Sequence, residues 1–202
     1  MSGDLGAEVV VRAAAATLGK YRHVELILVG DETELGRLAQ EIVGDDPRLH
    51  IRHASEVVEM SEPPAESIRR KKDSSMRVAI NLVKDGEAAA CVSAGNTGAL
   101  MATAKFVLKM LPSIDRPAII AEIPAIGGSF HMLDLGANTQ ATPEQLFQYA
   151  LMGSIVAQDI NRIERPRVAL LNIGAEDIKG HGTVKDAAAL LSASALNYVG
   201  FI

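Results

Sequence analysis

Short, continuous runs of apolar residues alternate with helical patterns along most of this 202-residue chain. The apolar runs are at residues 24–29, 49–51, 88–92, 118–123, 131–135, 168–173 and 198–202. Because most of them are continuous, they are typical of strands covered by helices on both faces of a parallel sheet. Helical patterns lie at residues 5–18, 32–42, 75–84, 98–110, 143–160 and 184–194. This order predicts an α/β fold, a three-layer αβα sandwich around a mostly parallel, doubly wound sheet.

Local signals predict where several of these elements begin. Asp31, Ser74 and Thr142 stand at predicted helix starts, where their side chains can cap free N–H groups. A proline follows Thr142 at the first helical position, which strengthens that assignment. Residues 125–129 include two glycines between two strand-like runs, and they predict a hairpin within the mixed sheet.

Composition limits the class of protein. With 48% hydrophobic and 22% charged residues, we expect one globular domain over residues 1–202. A net charge of -5 argues against a general nucleic-acid binder. The single cysteine, Cys91, excludes an internal disulfide and fits a reducing cytoplasm, and its apolar neighbours predict an inert, buried thiol. No run reaches the roughly 18 apolar residues of a membrane span. Both chain ends are abrupt, so we expect an N-terminal fragment of a longer protein.

The strongest candidate for a binding site follows the apolar run at residues 88–92. Ser93, Gly95, Asn96, Thr97 and Gly98 lead directly into a helical pattern. Glycine lets the main chain approach a ligand, and the free N–H groups of a helix start attract anions such as phosphate. The segment has neither the lysine of a P-loop nor the G-x-G-x-x-G spacing. A tight turn that binds no ligand is the alternative.

Polar groups also stand at the ends of three other predicted strands. Asp134 and Asn138 follow one, Asn172 ends another, and Asp31 follows the third. The carboxyl ends of parallel strands meet at one sheet edge, where such groups can form a crevice. Asp134 could orient a protonated phosphate or a cation, or it could simply form a turn. Lys179 could offset the carboxylate charge, or it could be an exposed helix lysine paired with Glu176.

Four consecutive cations stand out in an acidic chain: Arg69, Arg70, Lys71 and Lys72. Such a run is either a solvated face or a surface for an acidic partner. The five histidines have no metal-ligand spacing and no evident Ser or Asp partner. We therefore predict neither a metal site nor a hydrolase triad.

Four segments together resemble one family. They are SIRRKKDSSMR at 67–77, CVSAGNTGALM at 91–101, LDLGAN at 133–138 and VALLNIG at 168–174. The sequence resembles the PlsX family, the acyl-acyl carrier protein:phosphate acyltransferases of bacterial phospholipid synthesis. The likeness spans essentially the whole chain and about the N-terminal two-thirds of a family member. It implies a fold like that of isocitrate and isopropylmalate dehydrogenases.

The resemblance implies an enzyme that transfers a fatty acyl group from acyl carrier protein to inorganic phosphate, without a cofactor. Phosphate would bind at Ser93, Gly95, Asn96, Thr97 and Gly98. The catalytic candidates are Asp134, Asn138, Asn172 and Lys179, with the last three as donors to the oxyanion. The cations at 69–72 would face the acidic carrier. The family also implies a cytoplasmic homodimer that associates with the membrane, or with a membrane acyltransferase, through segments beyond this chain.

Three other functions compete with this one. A phosphotransacetylase-like enzyme would use acyl-CoA, so the acyl donor distinguishes it. An inactive fragment would only bind phosphate or self-associate. A dinucleotide dehydrogenase is the weakest alternative, because the chain lacks the glycine fingerprint and its acidic ribose partner.

Overall fold

The computed structural model describes residues 3, 5–138, 140–173 and 182–202. The chain divides into two compact units, Met1–Lys109 and Met110–Ile202. One domain over residues 1–202 stays a prediction. Within the described residues, no helix combines the length and the apolar character needed to cross a bilayer.

The first unit is built from five helices and one pair of strands among its described residues. In chain order these are α1 (Gly6–Lys20), β1 (Leu26–Gly30), α2 (Glu32–Ile42), β2 (Leu49–His53), α3 (Pro64–Arg70), α4 (Ser75–Lys84) and α5 (Thr97–Leu108). β1 and β2 are parallel, in a register that pairs Leu26 with Leu49. The predicted bounds of α2 and α4 are confirmed. Asp31 caps α2 by accepting the Glu34 N–H at 2.8 Å, and Ser74 caps α4 in the same way.

Two apolar clusters hold the first unit together. Val11, Leu28 and Leu35 belong to the cluster that packs α1 and α2 against β1. Ile80 of α4 and Val107 of α5 belong to the other, in which both side chains are buried. Burying such an aliphatic side chain stabilises a fold by about 1.5–3 kcal/mol. The second cluster fixes the path of α5, whose first turn is the predicted phosphate site.

The second unit contains two strand pairs and two helices in its described part. In chain order these are β3 (Ile120–Ala125), β4 (Gly128–Leu133), α6 (Pro143–Asn161), β5 (Arg167–Leu170), α7 (Gly182–Ser192) and β6 (Asn197–Phe201). β3 and β4 form the predicted antiparallel hairpin, and β5 pairs with β6 in parallel. Thr142 and Gln145 form a reciprocal capping box at the start of α6. Leu170, Ala187 and Leu191 are the buried core.

The α/β class is confirmed, and the described residues differ from the predicted layout in three details. The strands that the structure describes pair in three separate two-stranded sheets, two parallel and one antiparallel, rather than in one mostly parallel sheet. Residues 88–92 form no strand, and Val92 is 98% exposed. That run consists mainly of small residues, and its backbone has no partner strand in the described part of the chain. Helix α3 is absent from the predicted elements, although Pro64 at its first turn is a helix-start signal.

Candidate functional site

The first turn of α5 presents open main-chain donors to the solvent. Asn96 is the N-cap, and its Oδ1 accepts the Ala99 N–H at 3.0 Å. The Gly95 N–H donates to Ser93 Oγ at 3.2 Å. The N–H groups of Thr97 and Gly98 donate no hydrogen bond within the described part of the chain, and both residues are exposed. The N–H groups of Thr97 and Gly98 also lie in the first turn of the helix, where they are ready for an anion.

The side-chain amide of Asn96 makes its hydrogen bonds within the protein. It is only 9% exposed, and its Nδ2 lies 2.9 Å from the carbonyl oxygens of both Met60 and Glu62. A third carbonyl, that of Glu59, is 3.2 Å away. The Asn96 side chain therefore holds the loop before α3 and caps α5, so the candidate site gains only the main chain of this residue.

Gly98 permits a close approach between two helices. A Cβ at this position would lie 3.1 Å from Pro64 Cγ, at the start of α3. Such a contact is tight, and the stiff proline ring would have to move. The second glycine of the motif is therefore explained by packing space, in addition to any contact with a ligand.

The basic run divides into an exposed part and an inward-facing residue. Arg69, Arg70 and Lys72 are exposed at the end of α3 and just beyond it. Lys71 Nζ instead donates to Glu62 Oε2 at 2.6 Å and to the Val57 carbonyl at 2.5 Å. Three of the four predicted cations therefore lie on an exposed surface, and their predicted contact with the carrier stays a prediction. The hydrogen bond from Lys71 holds the pKa of the Glu62 carboxyl below its usual value.

A single segment, residues 57–62, links the two motifs, and we call it the strap. Asn96 holds the strap from the α5 side, and Lys71 holds it from the end of α3. The strap has no signature in the sequence, because its contacts with Asn96 join residues 34–37 positions apart in the chain. Glu62, the last residue of the strap, stands before two prolines and carries no local signal of an ion pair.

Asp134 organises the turn after β4. Its Oδ1 accepts the Ile119 N–H at 2.9 Å and the Ala137 N–H at 3.2 Å. Its Oδ2 accepts two bonds from Asn138. Burial raises the pKa of Asp134, but these hydrogen bonds outweigh burial and the net pKa is lowered. Of the two roles predicted for Asp134, the structure favours the turn former.

Asn138 is held in the same turn. Its Nδ2 lies 3.0 Å from Asp134 Oδ2 and 3.0 Å from the carbonyl oxygen of Pro117. An amide nitrogen carries two hydrogens, and both are used by these acceptors. The structure therefore supports a structural role for Asn138, and its predicted role as a donor to a reacting oxyanion stays a prediction.

The two remaining catalytic candidates, Asn172 and Lys179, stay predictions. Asn172 follows β5, and its main-chain N–H donates to the carbonyl of Ile202 at 2.9 Å. Lys179, with its possible partner Glu176, lies outside the described residues. No group of three or more His, Cys, Asp or Glu side chains in the described ranges is arranged to hold a metal ion.

Cys91 lies beside the second core cluster of the first unit. The thiol is half-buried, with Leu100 and Ala104 packed on the same cluster. Burial raises the pKa of the Cys91 thiol, so little reactive thiolate forms at neutral pH. The structure therefore supports an unreactive thiol, although one less buried than expected.

Comparison with solved structures supports the fold. The structure is similar to the EutD phosphotransacetylase from Staphylococcus aureus, with a TM-score of 0.63 and 18% sequence identity. The match covers 96% of this chain and 64% of that one. At this identity the likeness concerns the fold alone.

Comparison of sequences identifies the family. The chain is 55% identical to the phosphate acyltransferase of Alcanivorax borkumensis and 56% identical to that of Methylococcus capsulatus. Each match covers the whole chain but 60% of the relative, so this chain spans about three-fifths of their length. The resemblance found in the sequence is confirmed. Since the model of the family described as "Fatty acid synthesis protein" matches residues 1–202, this chain belongs to that family.

Proposed function

We propose that this protein is a phosphate acyltransferase, which moves a fatty acyl group from acyl carrier protein to inorganic phosphate for phospholipid synthesis. The names of its relatives, at 55–56% identity over the whole chain, support the reaction type. The proposal includes the three-layer, isocitrate dehydrogenase-like architecture implied by the sequence, and a cytoplasmic location. It also includes a homodimer, association with the membrane or with a membrane acyltransferase, and no role for nucleic acid.

The observation that carries the proposal is the exposed start of α5. Two neighbouring N–H groups, those of Thr97 and Gly98, have no partner in the described residues. They can each donate to a phosphate oxygen. A helix terminus contributes about 0.3–1 kcal/mol to such binding when exposed, and up to roughly 2 when sheltered. This binding energy is enough to orient a phosphate. Most of the rate enhancement must then come from the alignment of the bound phosphate with the thioester carbonyl.

The proposed chemistry needs no covalent enzyme intermediate and no resident cofactor. An oxygen of hydrogen phosphate attacks the thioester carbonyl, which forms a C–O bond and a tetrahedral oxyanion. The oxyanion collapses, the C–S bond breaks, and the sulfur of the carrier leaves with the bonding electrons. The proton of the phosphate passes to the thiolate, giving acyl phosphate and the free carrier thiol. The unreactive Cys91 has no step in this sequence.

The developing oxyanion needs hydrogen-bond donors. We propose Asn172 and Lys179 as these donors, as the resemblance implies, whereas the amide hydrogens of Asn138 are both used within its turn. Donors of this kind are each worth roughly 2.7–4 kcal/mol where they have been measured. Alanine at either position is therefore expected to slow the reaction by more than about a hundredfold.

The exposed cations are the proposed contact for the carrier. Arg69, Arg70 and Lys72 are solvent-accessible in a chain whose net charge is -5. Such a basic patch favours an acidic partner and speeds its encounter, with an effect that salt weakens. The carrier contact is thus separate in the sequence from the phosphate contact at Thr97 and Gly98.

The decisive experiment measures phosphate-dependent release of the carrier thiol from long-chain acyl-acyl carrier protein. Long-chain acyl-CoA and a phosphate-free sample run beside it. The thiol is read with a chromogenic disulfide reagent, and a Cys91→Ser variant removes the background from the protein itself. Circular dichroism establishes that the chain is folded.

Each result has one meaning. Release that needs both phosphate and the carrier substrate supports the proposal. Release from acyl-CoA alone supports the phosphotransacetylase-like alternative. Phosphate binding without release from either donor, in folded protein, supports the inactive alternative and overturns the proposed activity of this chain.

A further inference from the structure

We propose that Lys71 and Glu62 are positioning residues that keep the start of α5 in its phosphate-binding form. The inference rests on the proposed function and deepens it. It separates Lys71 from the three exposed cations beside it and assigns it to the phosphate end of the reaction rather than to carrier recognition.

Glu62 accepts hydrogen bonds from both Lys71 and Asn96. The carboxylate of Glu62 accepts from Lys71 Nζ at 2.6 Å, and the main-chain carbonyl of Glu62 accepts from Asn96 Nδ2 at 2.9 Å. The same Asn96 caps α5 through the Ala99 N–H. An unbroken chain of contacts therefore runs from Lys71 through Glu62 to Asn96 and the helix start.

Burial distinguishes this ion pair from a typical surface pair in the same unit. The side chains of Lys71 and Glu62 are 27% and 16% exposed. In the surface pair of Arg37 with Glu41 the values are 66% and 67%. Exposed pairs contribute little, whereas a sheltered pair is less screened and leaves an uncompensated charge when one partner is removed. Lys71 also satisfies the Val57 carbonyl, so it anchors the strap at two points.

Loss of the pair acts on the phosphate site through the strap. Without Lys71, the strap loses the hydrogen bonds to the Val57 carbonyl and to the Glu62 carboxylate. Asn96 then loses the fixed carbonyls that orient its amide, and its Oδ1 no longer stays opposite the Ala99 N–H. A helix that loses its cap frays in the first turn, which is where the Thr97 and Gly98 donors lie.

The test compares Lys71→Met and Glu62→Gln with Arg37→Met as the matched control. Arg37→Met breaks an exposed ion pair in α2 and should change nothing. Lys71→Met should raise the KM for phosphate about tenfold and the KM for the acyl carrier substrate less than about twofold, with kcat little changed. Glu62→Gln keeps an acceptor for Lys71 and should show a smaller rise. Arg69→Met should show the reverse pattern, raising the carrier KM.

A second readout does not depend on activity. Hydrogen exchange of the Ala99 amide, followed by NMR, reports on the cap, and Lys71→Met should speed this exchange about tenfold relative to wild type. Binding of inorganic phosphate is titrated on the same samples.

The results separate the two proposals. Unchanged exchange at Ala99 in both Lys71→Met and Glu62→Gln overturns the positioning role, whatever the activity. An equal rise in both KM values in Lys71→Met also overturns it. The exchange rate at Ala99 can rise in Lys71→Met even though the wild type neither binds phosphate nor releases thiol. That result would support the coupling of Lys71 to the cap of α5 and overturn the proposed function. If Lys71→Met fails to fold, the Ala99 exchange rate in Glu62→Gln decides between a positioning role and none.

Discussion

Asp134 Oδ2 accepts two hydrogen bonds from Asn138, one from its main-chain N–H at 2.6 Å and one from its side-chain amide at 3.0 Å. The amide also reaches the Pro117 carbonyl, so one side chain ties the turn after β4 to the segment before β3. These contacts give the LDLGAN motif a structural role within the second unit, where it joins the turn after β4 to the residues before β3.

Removing the Asn138 amide should destabilise the second unit. Asn138→Ala leaves the Pro117 carbonyl and one Asp134 oxygen short of a donor, and the expected loss is about 1–3 kcal/mol of unfolding free energy. Urea unfolding followed by circular dichroism measures it. Asn197→Ala is the control, since its amide makes one bond, at 3.2 Å, to the Arg165 carbonyl and its loss should cost less. Equal losses in the two variants would contradict the role given to Asn138.

Stability should fall on the acid side of neutrality. Hydrogen bonds lower the folded pKa of Asp134, and the Lys71 hydrogen bond lowers that of Glu62. A carboxyl with a lowered folded pKa stabilises the protein above its unfolded pKa, and this contribution is lost as pH falls through the folded value. The urea midpoint should therefore be constant near neutral pH and drop below about pH 4. Asp134→Asn should flatten that drop, and an unchanged profile would refute the assignment.

Tyr149→Phe should leave the protein as stable or make it more stable. Tyr149 is 2% exposed, and its hydroxyl has no hydrogen-bond partner among the residues described. Burial, together with the charge of Asp134, raises the pKa of the phenol. Removing an unsatisfied buried hydroxyl relieves a desolvation cost of about 1–3 kcal/mol. Thermal unfolding measures the change, with the half-exposed Tyr21→Phe as a control expected to be neutral. A clear loss in Tyr149→Phe would reveal a partner for the hydroxyl.

Replacement of glycine by alanine should stabilise the protein in helix α2 but not at the start of helix α5. Gly36 in α2 faces open space, so Gly36→Ala should stabilise the chain by about 0.5–1 kcal/mol through helix propensity. Gly98→Ala places a methyl group 3.1 Å from Pro64 Cγ, and the contact should cancel that gain and weaken phosphate binding. Chemical unfolding and a phosphate titration check both. A stabilised Gly98→Ala with wild-type phosphate affinity would contradict the close packing of α3 on α5.

Charge reversal at the exposed cations should raise the KM for acyl carrier protein and leave the KM for phosphate nearly unchanged. The double variant Arg69→Glu/Lys72→Glu changes two exposed cations and leaves the Lys71 ion pair in place. We expect the KM for acyl carrier protein to rise by about tenfold or more at low salt, with a weaker salt dependence than wild type. The phosphate KM should stay within about twofold. An unchanged dependence of rate on carrier concentration and salt would remove this surface from the proposal.

Helix bounds are predicted well where the sequence carries a local cap. α2 and α4 begin after Asp31 and Ser74 and match the predicted residues. A cap and an amphipathic pattern act within a few residues, so both can be read without knowledge of the fold. The predicted strand at residues 88–92, which does not form, is the opposite case. A strand requires a partner from elsewhere in the chain, and an apolar run does not say whether one is present.

Side-chain roles are harder to predict for the same reason. The motifs draw attention to Asn96, Asn138 and Lys71, but the sequence assigns each to a ligand or a partner. In the structure each binds carbonyl or carboxylate groups of the chain itself. For Asn96 those acceptors lie 34–37 positions away in the sequence. Such contacts depend on the tertiary path of the backbone, which spacing alone does not reveal.

The way in which the strap is held has a consequence for its evolution. Asn96 and Lys71 donate mostly to main-chain carbonyl groups of the strap, and every amino acid has such a group. The acceptors are the carbonyls of Val57, Glu59, Met60 and Glu62. The outer side chains, such as the exposed Met60, can therefore drift freely or be redesigned without loosening the anchor. The acidic group at position 62 and the buried Val58 are tied to the fold by their side chains, so the molecule can vary the outer positions of the strap while keeping the helix behind it unchanged.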